Sequence, residues 1–519
     1  MIKKIESFAF MLGLALLLSF SSLSVLSQES NIAKFDSLDT YFAKALADWE
    51  VPGMAIGIVK NDSLVFAKGY GVREMGKSET VDSNTMFAIA SNTKAFTSAA
   101  ISILVEEGKL SLDDKVIKYL PYFELYDPWV TANMTIRDLL CHRSGLETFS
   151  GDLVWYGTTY TREEVVKRAK YLKQAYPFRT HFGYQNIMFI AAGEIVSKVS
   201  GMSWDKYLEE RIFSPLEMNR TSTTINDFAK LGNIAMPHTS NQGKVISIPY
   251  SNWDNIGGAG AINSCVNDVS KWLRLQLNRG EYEGQEIFSA ESSHEMWSPH
   301  TIQDVSRGSM HLWPSMHFKS YGLGWSLFDY HGHKIVGHGG GYDGVISYTC
   351  LVPEENLGFV ILTNKNSSLY YSLIYKILDT FLSNDQTNWS GNFLARMKAI
   401  DKMKEYEKKE KESSRVKKTK PSLKLEAYTG TYHSELYGDV EVKLENKKLV
   451  VYFIPTPDFV GVLGHWHYNT FSIKLKNTPS LPEGTAQFIL DKHGKAYELR
   501  IDIPNPDFYF TELKLIKLD

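Results

Sequence analysis

One stretch of this chain cannot bury itself. Residues 398–421, KAIDKMKEYEKKEKESSRVKKTKP, are almost entirely charged and polar. A run of that kind stays solvated, as a linker or as an exposed helix leading into one. It divides the 519 residues into two parts, each of which must find its own core. The expected division is 28–395 for the first part, 396–422 for the charged linker and 423–519 for the second. The glutamates interleaved with the lysines argue against a basic arm for nucleic acid. So does the formal net charge of -3, because nucleic-acid recognition usually leaves a basic footprint.

The first part has mixed character. Met54 to Lys60 and Leu64 to Lys68 are two apolar runs joined by Asn61-Asp62-Ser63, the pattern of a hairpin. Ala95 to Glu107 carries apolar residues at helical spacing and stops at Gly108. Thr161 and Glu164 form a capping box ahead of another helix, and Ile187 to Val199 is a third, ending near Gly201. Tyr321 to Trp325, Lys334 to Val336, Val345 to Val352 and Gly358 to Thr363 read as successive strands. Strands at both ends of a helical middle predict an α+β domain, with an antiparallel sheet closed by both termini and helices packed on it. The second part is rich in strands. Val440, Val442 and Leu444 alternate with charged residues and return through Leu449 to Ile454, and Phe488 to Leu490 pairs with Tyr497 to Ile501. This predicts a small antiparallel barrel or sandwich.

Residues 1–27 read as a secretory signal peptide. Lys3 and Lys4 precede the eleven-residue apolar run Phe8–Leu18, and Val25-Leu26-Ser27 offers a cleavage site before Gln28. The apolar run is too short for a bilayer span. An exported protein without a stable membrane span is expected, periplasmic or extracellular. The three cysteines, Cys141, Cys265 and Cys350, are too few for a disulfide scaffold. They read as small buried residues, with one disulfide pair left open.

The chemistry centres on Ser91-Asn92-Thr93-Lys94. The serine follows an apolar segment and opens a helix, so a separation of three brings serine and lysine to one face. A serine hydroxyl needs a neighbouring base, and a lysine can serve if burial and nearby cations lower its pKa. The same spacing occurs at Ser203 and Lys206, where Trp204, Tyr207, Leu208 and Ile212 form a bulky amphipathic helix and Ser203 reads as its N-cap. Tyr184-Gln185-Asn186 adds a phenol that can carry a proton if cations lower its pKa, and an amide that can hold a substrate carbonyl. His338-Gly339-Gly340-Gly341 adds a glycine-rich strand edge, which permits close approach and can present N–H donors to an oxyanion. The aromatic loops Phe149–Tyr160 and Ser306–Lys319 are expected to line the substrate site. His465-Trp466-His467 offers too few ligands for a metal; Trp466 and Tyr468 are expected in the barrel core or on a substrate-facing loop. No phosphate loop, dinucleotide fingerprint or zinc helix appears, and no cofactor is expected.

The order of these elements resembles the serine β-lactamase and penicillin-binding-protein superfamily, most closely its class C-like esterase and D-aminopeptidase branch. Further stretches carrying the resemblance are Phe87–Ala90, Thr135–Leu146, Phe213–Met218 and Tyr321–Trp325. It implies that Ser91 is acylated and that Lys94 and Tyr184 share general-base duty. Asn186, His338, Gly340 and Gly341 would bind substrate, with the N–H groups of Ser91 and Gly341 as the oxyanion hole. His338 stands where many relatives carry the lysine of K-T-G, and neither K-T-G nor S-D-N is present. His142 looks structural. The implied function is an acyl-serine hydrolase of a small ester or D-amino-acid amide or peptide. The alternatives are a penicillin-binding D-alanyl carboxypeptidase or weak β-lactamase, and a non-catalytic binding or sensor protein on the same fold. The terminal β domain resembles one often appended to such hydrolases.

Overall fold

A computed structural model describes residues 33–241, 243–383 and 385–518. The signal-peptide reading falls on residues outside these.

The hairpin forms as its turn residues require. Strands β1 (Gly53–Lys60) and β2 (Ser63–Gly71) pair antiparallel, and both Asn61 and Asp62 take positive φ, at 50° and 60°, a region that short polar side chains tolerate. Six more strands come from the other end of the domain: β3 (Thr301–Gln303), β4 (Lys319–Tyr321), β5 (Ser326–Tyr330), β6 (His333–Tyr342), β7 (Val345–Val352) and β8 (Leu357–Thr363). Their order across the sheet is β2-β1-β8-β7-β6-β5-β4-β3, so the two ends of the domain meet at the antiparallel β1–β8 pair.

Both faces of this sheet are covered. Along β1, Met54, Ile56 and Ile58 enter one apolar cluster, with a helix α1 (33–48) and α5 (Leu369–Leu382). Ala55 and Val59 enter the other, with α2 (Thr93–Glu106), α3 (Asn186–Ser200) and α4 (Val266–Leu277). The period of two therefore splits one strand between two cores. Phe96 of α2 stacks on Trp272 of α4 at 3.9 Å. Truncating such a buried ring costs about 3–5 kcal/mol.

Two local readings need correction. Tyr321–Trp325 is not one strand: β4 ends at Tyr321 and β5 starts at Ser326. Between them Gly324 has φ +76°, and a Cβ there would lie 2.7 Å from the Lys94 carbonyl, so the chain turns to let α2 pass. Nor does Ser91 open the α-helix. It sits in a 3-10 turn, Ala90–Asn92, that leads into α2.

The charged run takes its helical alternative. A single helix α6, Trp389–Ser413, crosses the expected 395/396 boundary. Trp389 and Phe393 are buried at its start, and residues 401–418 are exposed. Beyond it, eight antiparallel strands between Gly430 and Lys517 close into a barrel, a closure that leaves no edge. Of the barrel's histidine-rich strand, Trp466 and Tyr468 are not in the core. A β-bulge interrupts pairing between His465 and His467, Tyr468 is exposed, and the Arg415 guanidinium lies over the Trp466 ring. All three cysteines are free and buried. Among the described residues no helix is long and apolar enough to cross a membrane.

Candidate active site

The serine is presented by strain and by anchoring. Ala90 precedes it at φ +45°, a conformation costly for a residue with a Cβ and held only when its surroundings demand it. Phe87–Ala88 pairs with Asn263–Ser264, and Ile89 N–H donates to the Ile262 carbonyl at 2.9 Å. The buried Asn92 amide donates to Ser347 Oγ at 2.8 Å and accepts from Thr349 Oγ1 at 2.6 Å. The serine turn is thereby tied to β7.

Lys94 is fully buried. Its Nζ lies 3.0 Å from Ser91 Oγ, 2.7 Å from Asn186 Oδ1 and 2.8 Å from the Ala259 carbonyl. Burial holds its pKa well below the ordinary lysine value, against a smaller opposing pull from Asp152. A neutral amine has two N–H donors and one lone pair. Asn186 and Ala259 accept the two donors, so the lone pair is left facing Ser91 Oγ. That is the geometry of a general base.

Asn186 begins α3 and bridges further. Its Nδ2 donates to Asp152 Oδ2 at 2.6 Å, while Trp155 Nε1 donates to Asp152 Oδ1 at 2.9 Å. Burial raises the Asp152 carboxyl to about 8, despite those two bonds and the nearby lysine. Sequence reasoning missed Asp152. Its signal was an acidic residue in the otherwise apolar run Asp152–Tyr156, where an ionisable group must have partners to be buried.

Tyr184 reaches the Ser91 hydroxyl, and the Lys94 ammonium position lies 4.8 Å from its ring centroid. The condition expected of it is not met, however. Burial pushes the phenol upward, and Asp152 adds to the rise. The shift is opposite in direction to the one expected of it. His142 is fully buried against Tyr184, its Nδ1 accepting from Gln185 N–H at 3.0 Å.

His338 is buried too. Its Nδ1 lies 2.6 Å from the Gly339 carbonyl and its Nε2 lies 2.8 Å from the Tyr321 hydroxyl. A carbonyl can only accept, so Nδ1 carries the proton and Nε2 accepts from Tyr321. Burial, reinforced by Lys94, lowers His338 to about 3, and the ring is neutral. Gly340 is a further correction: it does not line the cavity. A Cβ on it would meet the Ile89 carbonyl at 2.1 Å and Ser347 Oγ at 2.4 Å, so its glycine lets β6 pass directly beside the serine turn. Gly341 does line the cavity.

The cavity holds about 520 Å³ and joins Ser91, Tyr184, Asn186, His338 and Gly341. Phe149, Trp155, Phe182 and Trp253 give it an aromatic wall, as expected of the 149–160 loop. The 306–318 segment lines none of it; Trp313 packs on Tyr375 instead. Lys319 is on the cavity, its pKa lowered by burial. The barrel reaches the same cavity through Asp507 and Phe508. Phe508 stacks on Tyr156 at 4.0 Å. Asp507 faces Asp343, which burial raises to about 6. No sequence signal joined these residues to the site.

Comparison with known proteins agrees with this geometry. Residues 38–378 match the Beta-lactamase family, and the chain belongs to it. Residues 414–517 match a domain of unknown function, DUF3471. The chain is 28% identical over 452 residues to unguisins hydrolase ungD' of Aspergillus campestris, covering 80% of each chain. Its fold is similar to that of the octameric penicillin-binding protein homologue from Pyrococcus abyssi, with TM-score 0.61 and 23% identity over 93% of this chain and all of that one. It is also similar to a D-stereospecific amidohydrolase from Streptomyces, with TM-score 0.53 and 21% identity over 67% of this chain and 99% of that one. The protein therefore has a β-lactamase-like fold built as a serine hydrolase, with a closed eight-stranded barrel appended.

Proposed function

We propose that the chain is an exported acyl-serine hydrolase of small esters or D-amino-acid amides and peptides. The carrying observation is the Lys94 amine, whose two donors are committed and whose lone pair faces Ser91 Oγ. In this reading Lys94 takes the Ser91 proton as Oγ attacks the substrate carbonyl carbon. The oxyanion forms against the backbone N–H groups of Ser91 and Gly341. On collapse the bond to the leaving group breaks, and the leaving oxygen or nitrogen takes its proton through the Tyr184 phenol, which Lys94 reprotonates. Water then cleaves the acyl ester by the same route.

The neutral His338 shapes the substrate class. A substrate carboxylate placed beside it finds a hydrogen-bonded imidazole and no fixed charge, which disfavours efficient β-lactam hydrolysis. The aromatic wall favours an apolar acyl group. The names of the relatives, a hydrolase and a D-stereospecific amidohydrolase, support amide as well as ester bonds. One observation favours the alternative of a D-alanyl carboxypeptidase or weak β-lactamase: a lysine, Lys319, lines the cavity.

The test is hydrolysis of p-nitrophenyl butyrate by the mature protein beside Ser91→Ala, followed by a panel of esters, D-peptides with and without a free carboxylate, and β-lactams. Activity lost in Ser91→Ala and highest on carboxylate-free substrates supports the reading. Preference for a terminal carboxylate, abolished by Lys319→Met, moves it to the carboxypeptidase. Equal activity in wild type and Ser91→Ala ends it. Export is tested by N-terminal sequencing of the cell-envelope or secreted form, expected to begin at Gln28.

A further inference from the structure

The loop that carries Asp152 is held from two sides. On the inner side, Phe149 N–H donates to the Tyr184 carbonyl at 2.8 Å and Tyr184 N–H to Thr148 Oγ1 at 3.1 Å. On the outer side the contact comes from the barrel, more than three hundred residues away. Ser150 Oγ donates to Glu512 Oε1 at 2.5 Å, and Gly151 N–H donates to Glu512 Oε2 at 2.8 Å. Phe149 has positive φ, 63°, a conformation costly for a residue with a Cβ and held only where the surroundings demand it.

Glu512 itself stands on a rigid base. It ends the 3-10 turn Phe510–Glu512, whose Phe510 is buried against Phe453 and Phe459 of the barrel. The side chain is an acceptor-only group with one oxygen for each loop donor. Burial, with a smaller push from Glu147, raises its carboxyl, and the bonds from Ser150 and Gly151 pull it back down. From Glu512 the contacts run without a break to the nucleophile: the Ser150–Gly151 backbone, Asp152, the Asn186 amide, the Lys94 amine and Ser91 Oγ.

We propose that Glu512 is a positioning residue for the serine chemistry, fixing from the barrel the loop whose Asp152 orients Asn186 and, through it, the lone pair of Lys94. The inference rests on the acyl-serine reading above. It gives the appended barrel a defined part in the reaction: the hydrolase domain alone would hold Asp152 from one side only. A misplacement of about 1 Å in such a chain can cost about 10²-fold in rate.

The experiment uses the full chain and p-nitrophenyl butyrate, with kcat and KM measured separately and melting temperature recorded for each variant. Glu512→Ala is expected to lower kcat by about 10²-fold with KM little changed. Glu512→Gln keeps a carbonyl for Gly151 N–H but no acceptor for Ser150, and falls between. Glu512→Ala combined with Asp152→Asn is expected to be no slower than Asp152→Asn alone, because residues acting through one path are not additive. If Glu512→Ala does not fold, Ser150→Ala, which removes the same bond from the other end, decides. The inference is overturned if kcat is unchanged in a folded variant, if the two losses multiply, or if only KM moves. An inactive wild type overturns the acyl-serine reading, and this inference with it. An active, Ser91-dependent wild type with a fully active Glu512→Ala overturns this inference alone.

Discussion

The chain carries the spacing serine-x-x-lysine twice at helix entrances, and the two places have opposite fates. At Ser91 the lysine is fully buried, bonded to an amide and a carbonyl, and lowered well below its ordinary pKa. At Ser203 the serine side chain accepts from Lys206 N–H as an N-cap, and Lys206, with 61% of its side chain exposed, reaches Glu210 at 3.3 Å. One lysine has lost its water and spends two N–H donors on protein acceptors. The other stays in solvent beside a carboxylate. The four-residue pattern sets only which groups meet; the environment decides whether they react.

The strongest way to break this comparison is to remove each serine in turn. Ser91→Ala is expected to lower kcat on p-nitrophenyl butyrate by on the order of 10⁶-fold, the scale seen when a serine nucleophile is deleted. Ser203→Ala should leave kcat unchanged. Activity that survives at Ser91→Ala and fails at Ser203→Ala would reverse the assignment. The next effect sharpens it at the base. Lys94→Arg puts a permanent cation there that cannot deprotonate, so a loss of about 10²–10⁴-fold is expected in the steady-state rate. Lys206→Arg is expected to change nothing in the same assay. An active Lys94→Arg would mean that the charge, and not the lone pair, is what Ser91 needs.

Much of this was legible because local patterns and local structure coincided. The β1–β2 hairpin, the capping box at Thr161 and Glu164, the helix ending at Gly201 and the N-cap at Ser203 all follow from residues within a few positions of each other. The alternation of β1 and β8 between two cores was half legible. Apolar runs marked the strands, but nothing marked which helices covered each face. The family's pattern marked Ser91, Lys94, Tyr184, Asn186, His338 and Gly341, and these do meet around one cavity. It was not legible where burial changes a residue's chemistry. The rise of Tyr184 depends on what packs around it, and no spacing encodes that. Gly340 was assigned to substrate because a glycine run looks uniform, whereas the Ile89 carbonyl and Ser347 behind it are 251 and 7 positions away. Asp507, Phe508 and Glu512 enter through the docking of one domain on another, which leaves no periodic trace in either.

A third test asks whether the buried site differs from the solvated one in its response to pH. His338 falls from an ordinary value near 6.5 to about 3 on folding, and burial moves His142 in the same direction. Between those values the unfolded chain binds protons that the native chain does not, so stability rises with pH in that window and is lost on acidification. Each such histidine contributes a slope of about 1.4 kcal/mol per pH unit. Asp152 works against them. Its native value of about 8 lies above its unfolded one, so its contribution is present at low pH and declines as pH rises through 8. Asp343, raised to about 6, opposes them as well, so the test is the difference between wild type and His338→Asn in urea unfolding from pH 4 to 6.5. His338→Asn should lower the slope of stability against pH by about 1.4 kcal/mol per pH unit, whatever its effect on stability at pH 7. An unchanged slope would mean that His338 titrates in the folded protein as it does in the unfolded one.

The smallest expected effect falls at the second serine, and its smallness is what makes it informative. Ser203→Ala removes one accepted N–H at the entrance of a short helix, a loss worth about 1 kcal/mol. The bond is local, and Lys206 N–H is exposed enough for water to replace the hydroxyl. Thermal unfolding should therefore shift slightly while kcat and KM stay where they are. If Ser203→Ala instead lowered kcat without changing stability, the helix entrance at Ser203 would be coupled to Ser91. A path for that exists through Trp204, whose Nε1 donates to Thr97 Oγ1 on α2 at 3.1 Å. The variant thus measures how far outward from Lys94 the packing must stay fixed for the amine to keep its aim.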